Sequence, residues 1–182
     1  IKTRGTPTAL ATSPKGSITQ LFVGLNTGII ELYDVTATPP NRLKTFSLHP
    51  SAITVIQPLQ TDLYSSCLQG YLRRWDANDG SSTWERHAHS STVNDFIVKD
   101  DFIFTASFDG SLAITETTRG RTVLKLPLAR GPLHFVRFIE GIPNIVFLGT
   151  ASGSVLALKL PEETFRSSSA RAKADLTLSI KP

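Results

Sequence analysis

Few residues in this chain could do chemistry. His87 and His89 flank one alanine in "HAH", and side chains two apart on a strand share a face, as a metal pair would require. No cysteine or third histidine lies at a ligand spacing from them, so His89 reads instead as a loop residue that hydrogen-bonds a neighbouring turn. The triplet "DGS" occurs twice, from Asp79 to Ser81 and from Asp109 to Ser111. Paired carboxylates could serve as acid and base. A turn accounts for both better: Asp bonds the backbone and Gly supplies a positive φ. There is no Walker A loop, no G-x-G-x-x-G and no G-x-S-x-G. The residues therefore predict no enzyme, no metal and no cofactor.

What positions these residues is a repeat. Four windows align without gaps: "LFVGLNTGIIELYDV" from Leu21, "LYSSCLQGYLRRWDA" from Leu63, "IFTASFDGSLAITET" from Ile103 and "VFLGTASGSVLALKL" from Val146. The second place is aromatic: Phe22, Tyr64, Phe104 and Phe147. The fourth is small: Gly24, Ser66, Ala106 and Gly149. The eighth is Gly28, Gly70, Gly110 and Gly153, spaced 42, 40 and 43 residues apart. The tenth is aliphatic: Ile30, Leu72, Leu112 and Val155. A period of about 40–45 residues is that of a four-stranded propeller blade. Glycine reverses the chain between two strands, and a small residue in the strand before it lets the next sheet approach. Extended segments precede each window, and a further strand follows the first three. No segment outside the C-terminal tail reads as an amphipathic helix.

With those residues in view, the sequence resembles the WD-repeat β-propeller family from about Thr8 to Leu160. Tyr33-Asp34 and Trp75-Asp76 stand where that family places its signature dipeptide. His49 and His89 stand in loops that enter innermost strands, and "SFDG" from Ser107 to Gly110 resembles the family's hairpin. The resemblance implies an all-β fold of about four four-stranded blades, near residues 8–48, 49–87, 89–127 and 130–160. The family usually closes seven or eight, so the resemblance also implies an incomplete ring, with the missing blades outside these residues or supplied by another chain.

The family often links a loop His, a strand Ser, a turn Asp and a strand Trp by hydrogen bonds. The third repeat has His89, Ser107 and Asp109, but Thr115 replaces Trp. The second has His49 and Trp75, with Cys67 and Gln69 at the Ser and Asp places. Full networks are therefore not expected, and these residues, with Asp76 and the four turn glycines, read as structural. "LRRW" from Leu72 resembles the Phe/Leu-Arg-Arg-Gly motif of phosphoinositide-binding propellers, but Trp75 replaces the Gly and the pair lies inside a strand. Receptors for a cullin ubiquitin ligase often carry Arg two places after Trp-Asp; here that residue is Asn78, or Thr36 in the first repeat.

Composition sets the remaining bounds. The chain has 182 residues and 40% hydrophobic content, enough for a sizeable core. Its net charge of +4 is scattered rather than gathered into a stripe. The single cysteine, Cys67, excludes an intrachain disulfide, and no glycosylation sequon is present. Both point to an intracellular, cytoplasmic or nuclear setting. No apolar run is long enough for a transmembrane helix. The opening "IKTRGTP" and the lack of any Met suggest the interior of a longer protein. Residues 161–182 contain the basic, Ser-rich "RSSSARAK", read as a linker, and then "DLTLSI", an alternating stretch able to start another strand.

The resulting expectation is a protein-interaction scaffold, a subunit of a larger complex with other protein subunits as partners. The alternative is a basic propeller that contacts RNA or anionic phospholipid. Hairpin tips are usually polar, as Asn26 is, whereas Leu68 and Phe108 occupy the tips of the second and third repeats. With Arg130 on the following loop, they form the predicted partner-binding rim.

Overall fold

The computed structural model describes residues 1–129 and 131–161. Arg130 and the 162–182 tail lie outside the described residues. Fifteen strands and no helix make up the described chain. The first sheet holds β1 (Pro7–Lys15), β2 (Ile18–Leu25), β3 (Ile29–Asp34) and β4 (Asn41–Ser47). The second holds β5 (Ile53–Leu59), β6 (Asp62–Cys67), β7 (Tyr71–Asp76) and β8 (Ser82–His87). The third holds β9 (Val93–Lys99), β10 (Phe102–Ser107), β11 (Ser111–Glu116) and β12 (Thr122–Pro127). The fourth has three described strands, β13 (Leu133–Phe138), β14 (Ile145–Thr150) and β15 (Val155–Lys159). In every sheet the strands lie side by side in chain order.

The turn glycines fix the hairpins between second and third strands. Gly28, Gly70, Gly110 and Gly153 all have φ near +80°, a conformation that strongly favours glycine. Each N–H closes a tight turn onto the carbonyl three residues back: Leu25, Cys67, Ser107 and Thr150, at 3.1–3.2 Å.

The chain divides into two compact units, residues 1–93 and 94 onward. In the first unit, Phe22, Ile30, Leu32 and Phe46 of the first sheet pack with Ile53, Ile56, Leu63 and Trp75 of the second. The small fourth place of the repeat is explained here: a Cβ on Gly24 would sit 2.6 Å from Ile53 Cγ2. In the second unit, Phe104, Leu112 and Ile114 of the third sheet pack with Leu133, Val136, Val146, Leu148 and Leu158 of the fourth. Burying such a side chain stabilises by about 1.5–3 kcal/mol, so apolar stacking of sheet on sheet is the main cohesive force within each unit.

Candidate partner-binding surface

The second sheet centres on a polar knot that the sequence misplaced. Trp75 is buried, and its Nε1–H donates to Ser65 Oγ at 2.8 Å. His49 Nε2 lies 2.7 Å from the same oxygen. Ser65, rather than the residue at Cys67, therefore occupies the serine place, and the His–Ser–Trp part of the expected network is present. Burial, with a smaller contribution from the Arg73 charge, lowers the His49 pKa to about 3, so the ring is neutral. Its Nδ1 is buried without a partner. Asp76 is a turn residue: its Oδ1 accepts the Asn78 N–H at 2.7 Å.

Both arginines of "LRRW" are engaged within the first unit. Arg74 forms a two-pronged pair with Asp62, at 2.9 Å for each contact. Arg73 donates to the Leu48 carbonyl at 2.9 Å, pairs with Glu85, and lies 5.6 Å from the Trp75 ring centre. The "HAH" histidines also separate. His87 stacks on Tyr71 with ring centres 4.6 Å apart, and His89 is buried. Among the described residues no three His, Cys, Asp or Glu side chains gather as a metal site would require.

The hairpin tips contrast with this. Leu68 is 48% exposed, although its backbone is held on both sides. Its N–H donates to the Ala52 carbonyl at 3.0 Å, and its own carbonyl accepts from Thr92 Oγ1 at 3.1 Å. Phe108, in the second unit, is 55% exposed on a turn that is equally fixed. The Asp109 N–H donates to Ser107 Oγ at 3.1 Å. Asp109 Oδ1 accepts from the Ser111 N–H at 3.0 Å, and Oδ2 accepts from Lys125 Nζ at 3.1 Å. At the corresponding tip of the first sheet, Asn26 spends its side chain on the Thr6 N–H at 3.0 Å. The second and third sheets thus each present an apolar side chain on a rigid turn. Rigid presentation lowers the ordering cost of docking.

The glycine period, the four chain-order sheets and the packing within each unit can be set beside known proteins. No family model matches the chain. Pre-mRNA-processing factor 19 of Caenorhabditis elegans is 27% identical over 160 residues, covering 86% of this chain and 32% of that protein. Mitochondrial division protein 1 of Neosartorya fischeri is 30% identical over 90 residues, 48% of this chain and 14% of that protein. The chain thus spans about a third or less of these relatives. Among solved structures, the computationally designed Ika4 protein superposes with a TM-score of 0.76 at 19% identity, over 88% of this chain and 94% of that one. A chain of the Mitotic Checkpoint Complex gives 0.72 at 17% identity, over 82% and 48%. The fold is that of a partial β-propeller. Each sheet is a blade, and blades one to four take the sheets in chain order. No helix among the described residues is long and apolar enough to cross a membrane.

Proposed function

We propose that this chain is a non-enzymatic protein-interaction scaffold, the WD-repeat part of a subunit in a larger intracellular complex, cytoplasmic or nuclear. Residues 1–160 form part of a ring whose other blades are not among these residues. The observation that carries the reading is the pair of apolar tips, Leu68 and Phe108, held outward by hydrogen-bonded turns where the first blade spends its tip residue on the backbone. A large exposed apolar side chain on rigid backbone is the usual form of an interface anchor. Arg130, the basic residue that the sequence adds to these tips, lies outside the described residues.

The alternative partners, RNA or anionic phospholipid, would draw first on Arg73 and Arg74. Their engagement with Glu85, Leu48 and Asp62 favours the protein reading. The test is the double substitution Leu68→Ser with Phe108→Ser in the full-length protein. Thermal melting should be unchanged, while recovery of co-purifying subunits falls at least about tenfold. Unchanged recovery overturns the reading. Recovery that instead collapses as salt is raised, with the tips intact, favours phosphate-bearing partners.

A further inference from the structure

The end of the second blade that carries Leu68 differs in composition from the rest of the first unit. Three stretches meet there: "LHPSA" from Leu48, "CLQGYL" from Cys67 and "HAHSST" from His87. None contains Asp, Glu, Lys or Arg, in a chain that is 19% charged. The turns at the opposite ends of the strands in this unit do carry charge. Lys15, Asp34, Asp62 and Asp76 stand at the β1–β2, β3–β4, β5–β6 and β7–β8 turns respectively. Hydrogen bonds join the three uncharged stretches into one surface. The Leu68 N–H donates to the Ala52 carbonyl, the Gln69 N–H donates to Ser51 Oγ at 3.2 Å, and the Gly70 carbonyl accepts from Ala88 and His89. Leu48 and Leu68 are exposed on this surface. His87 lies in register with Tyr71, and their stacked rings add a flat aromatic shelf. In the next row of the same two strands, Arg73 and Glu85 pair with each other.

Such a surface can be covered at little cost. Leu68 and Gly70 have both main-chain groups bonded, and Gln69 has its N–H bonded, so a partner that excludes water here strands few backbone groups. A charged partner side chain would lose its water and meet no opposite charge among the three stretches, an unfavourable exchange. An apolar side chain gives up no hydrogen bond and gains contact. Cores of protein interfaces show the same depletion of charge and enrichment in aromatic rings. We infer that this end of the second blade is the core of a protein interface whose occupant is an uncharged, apolar segment of the partner, packed on Leu68 and Leu48 beside the Tyr71–His87 shelf. The inference rests on the reading of Leu68 as an anchor and adds the chemistry of what the anchor meets.

The experiment uses Gln69 in the full-length protein. Gln69 is exposed beside Leu68, so changing its side chain probes the occupant without removing an anchor. A photo-reactive benzoylphenylalanine in place of Gln69 should cross-link a co-purifying subunit, and mass spectrometry should map the cross-link to an uncharged apolar segment. A cross-link to a segment bearing Asp, Glu, Lys or Arg overturns the inference, as does one to RNA or lipid, or none at all. Gln69→Glu and Gln69→Lys should then each cut recovery of that subunit at least about fivefold, because either sign strands a charge under an apolar cover. The melting temperature of both variants should match the parent. Recovery that rises with one sign shows a charged partner surface and overturns the inference. Unchanged recovery with both signs overturns it too. If Leu68→Ser with Phe108→Ser lowers recovery while the Gln69 variants do not, the tips stand and only the uncharged occupant falls. If neither set lowers recovery, both readings fall.

Discussion

The second and third blades fill the same repeat position in opposite ways. In the second, Trp75 brings a large ring and a buried N–H: Ser65 of the same sheet takes the N–H, Phe46 of the first sheet lies edge-on at 5.6 Å, and Arg73 lies alongside. In the third, Thr115 brings a small β-branched side chain whose hydroxyl bonds Thr122 at 3.1 Å within its own sheet. Both middle strands of that sheet, β10 and β11, are buried along their whole length. A wide residue ties its sheet to a loop through the shared serine and to the neighbouring sheet by ring packing. A narrow one bonds within its own sheet. The blade tolerates either because the backbone ladder and the turn glycine are the same in both.

The contrast can be broken most directly at its centre. Trp75→Ala should cost about 3–5 kcal/mol by leaving a cavity and removing the indole N–H from Ser65. Thr115→Ala should cost about 1 kcal/mol, the loss of one hydrogen bond. Denaturant midpoints of the two variants measure both. Equal losses would mean that the second blade does not depend on its aromatic.

Acid should sharpen the difference next. The unfolded chain protonates His49 near 6.5, and the folded chain resists until about pH 3. The native contribution is therefore present above 6.5 and is lost as pH falls toward 3, at up to about 1.4 kcal/mol per unit. Melting temperature followed from pH 7 to pH 4.5 should fall in the parent and fall less in His49→Gln. Parallel curves would show that the imidazole does not govern this window.

The smallest difference between the two blades is expected at the hub. Ser65→Ala leaves the indole N–H and His49 Nε2 without their shared partner and should cost about 1–3 kcal/mol. The equivalent change in the third blade, Thr105→Ala, removes a hydroxyl that donates to the Ala113 carbonyl at 3.2 Å and should cost about half as much. Melting of the two variants side by side checks the ratio.

The turn glycines were legible in the sequence because no other residue takes φ near +80° without strain, so the period is written in one letter. The hub serine was harder to read. Ser65 and Cys67 point to the same face of β6, and counting from the glycine falls on Cys67. Register decides between them. Trp75 lies opposite Leu63, so Ser65 is the diagonal neighbour within reach of the indole, while Cys67 lies roughly 13 Å along the strand from Leu63. The exposed tips were visible as apolar residues where turns are usually polar. The exposure of Val155 was not, because it has the same aliphatic character as its buried counterparts Ile30, Leu72 and Leu112, and residue type does not report what lies above it. Arg130 and the tail lie outside the described residues, so their assigned roles stand as proposals.

Every strand in these sheets hydrogen-bonds to the strand beside it in the chain, with no crossover. No strand has to wait for a distant partner, so the loop-closure cost within a sheet stays small. Synthesis at about 5–20 residues per second leaves seconds between successive sheets, while a hairpin closes in about 1–10 μs. The hairpins of one repeat can therefore form before the next repeat has been made, and a lesion in one meander leaves the strand pairing of the others intact.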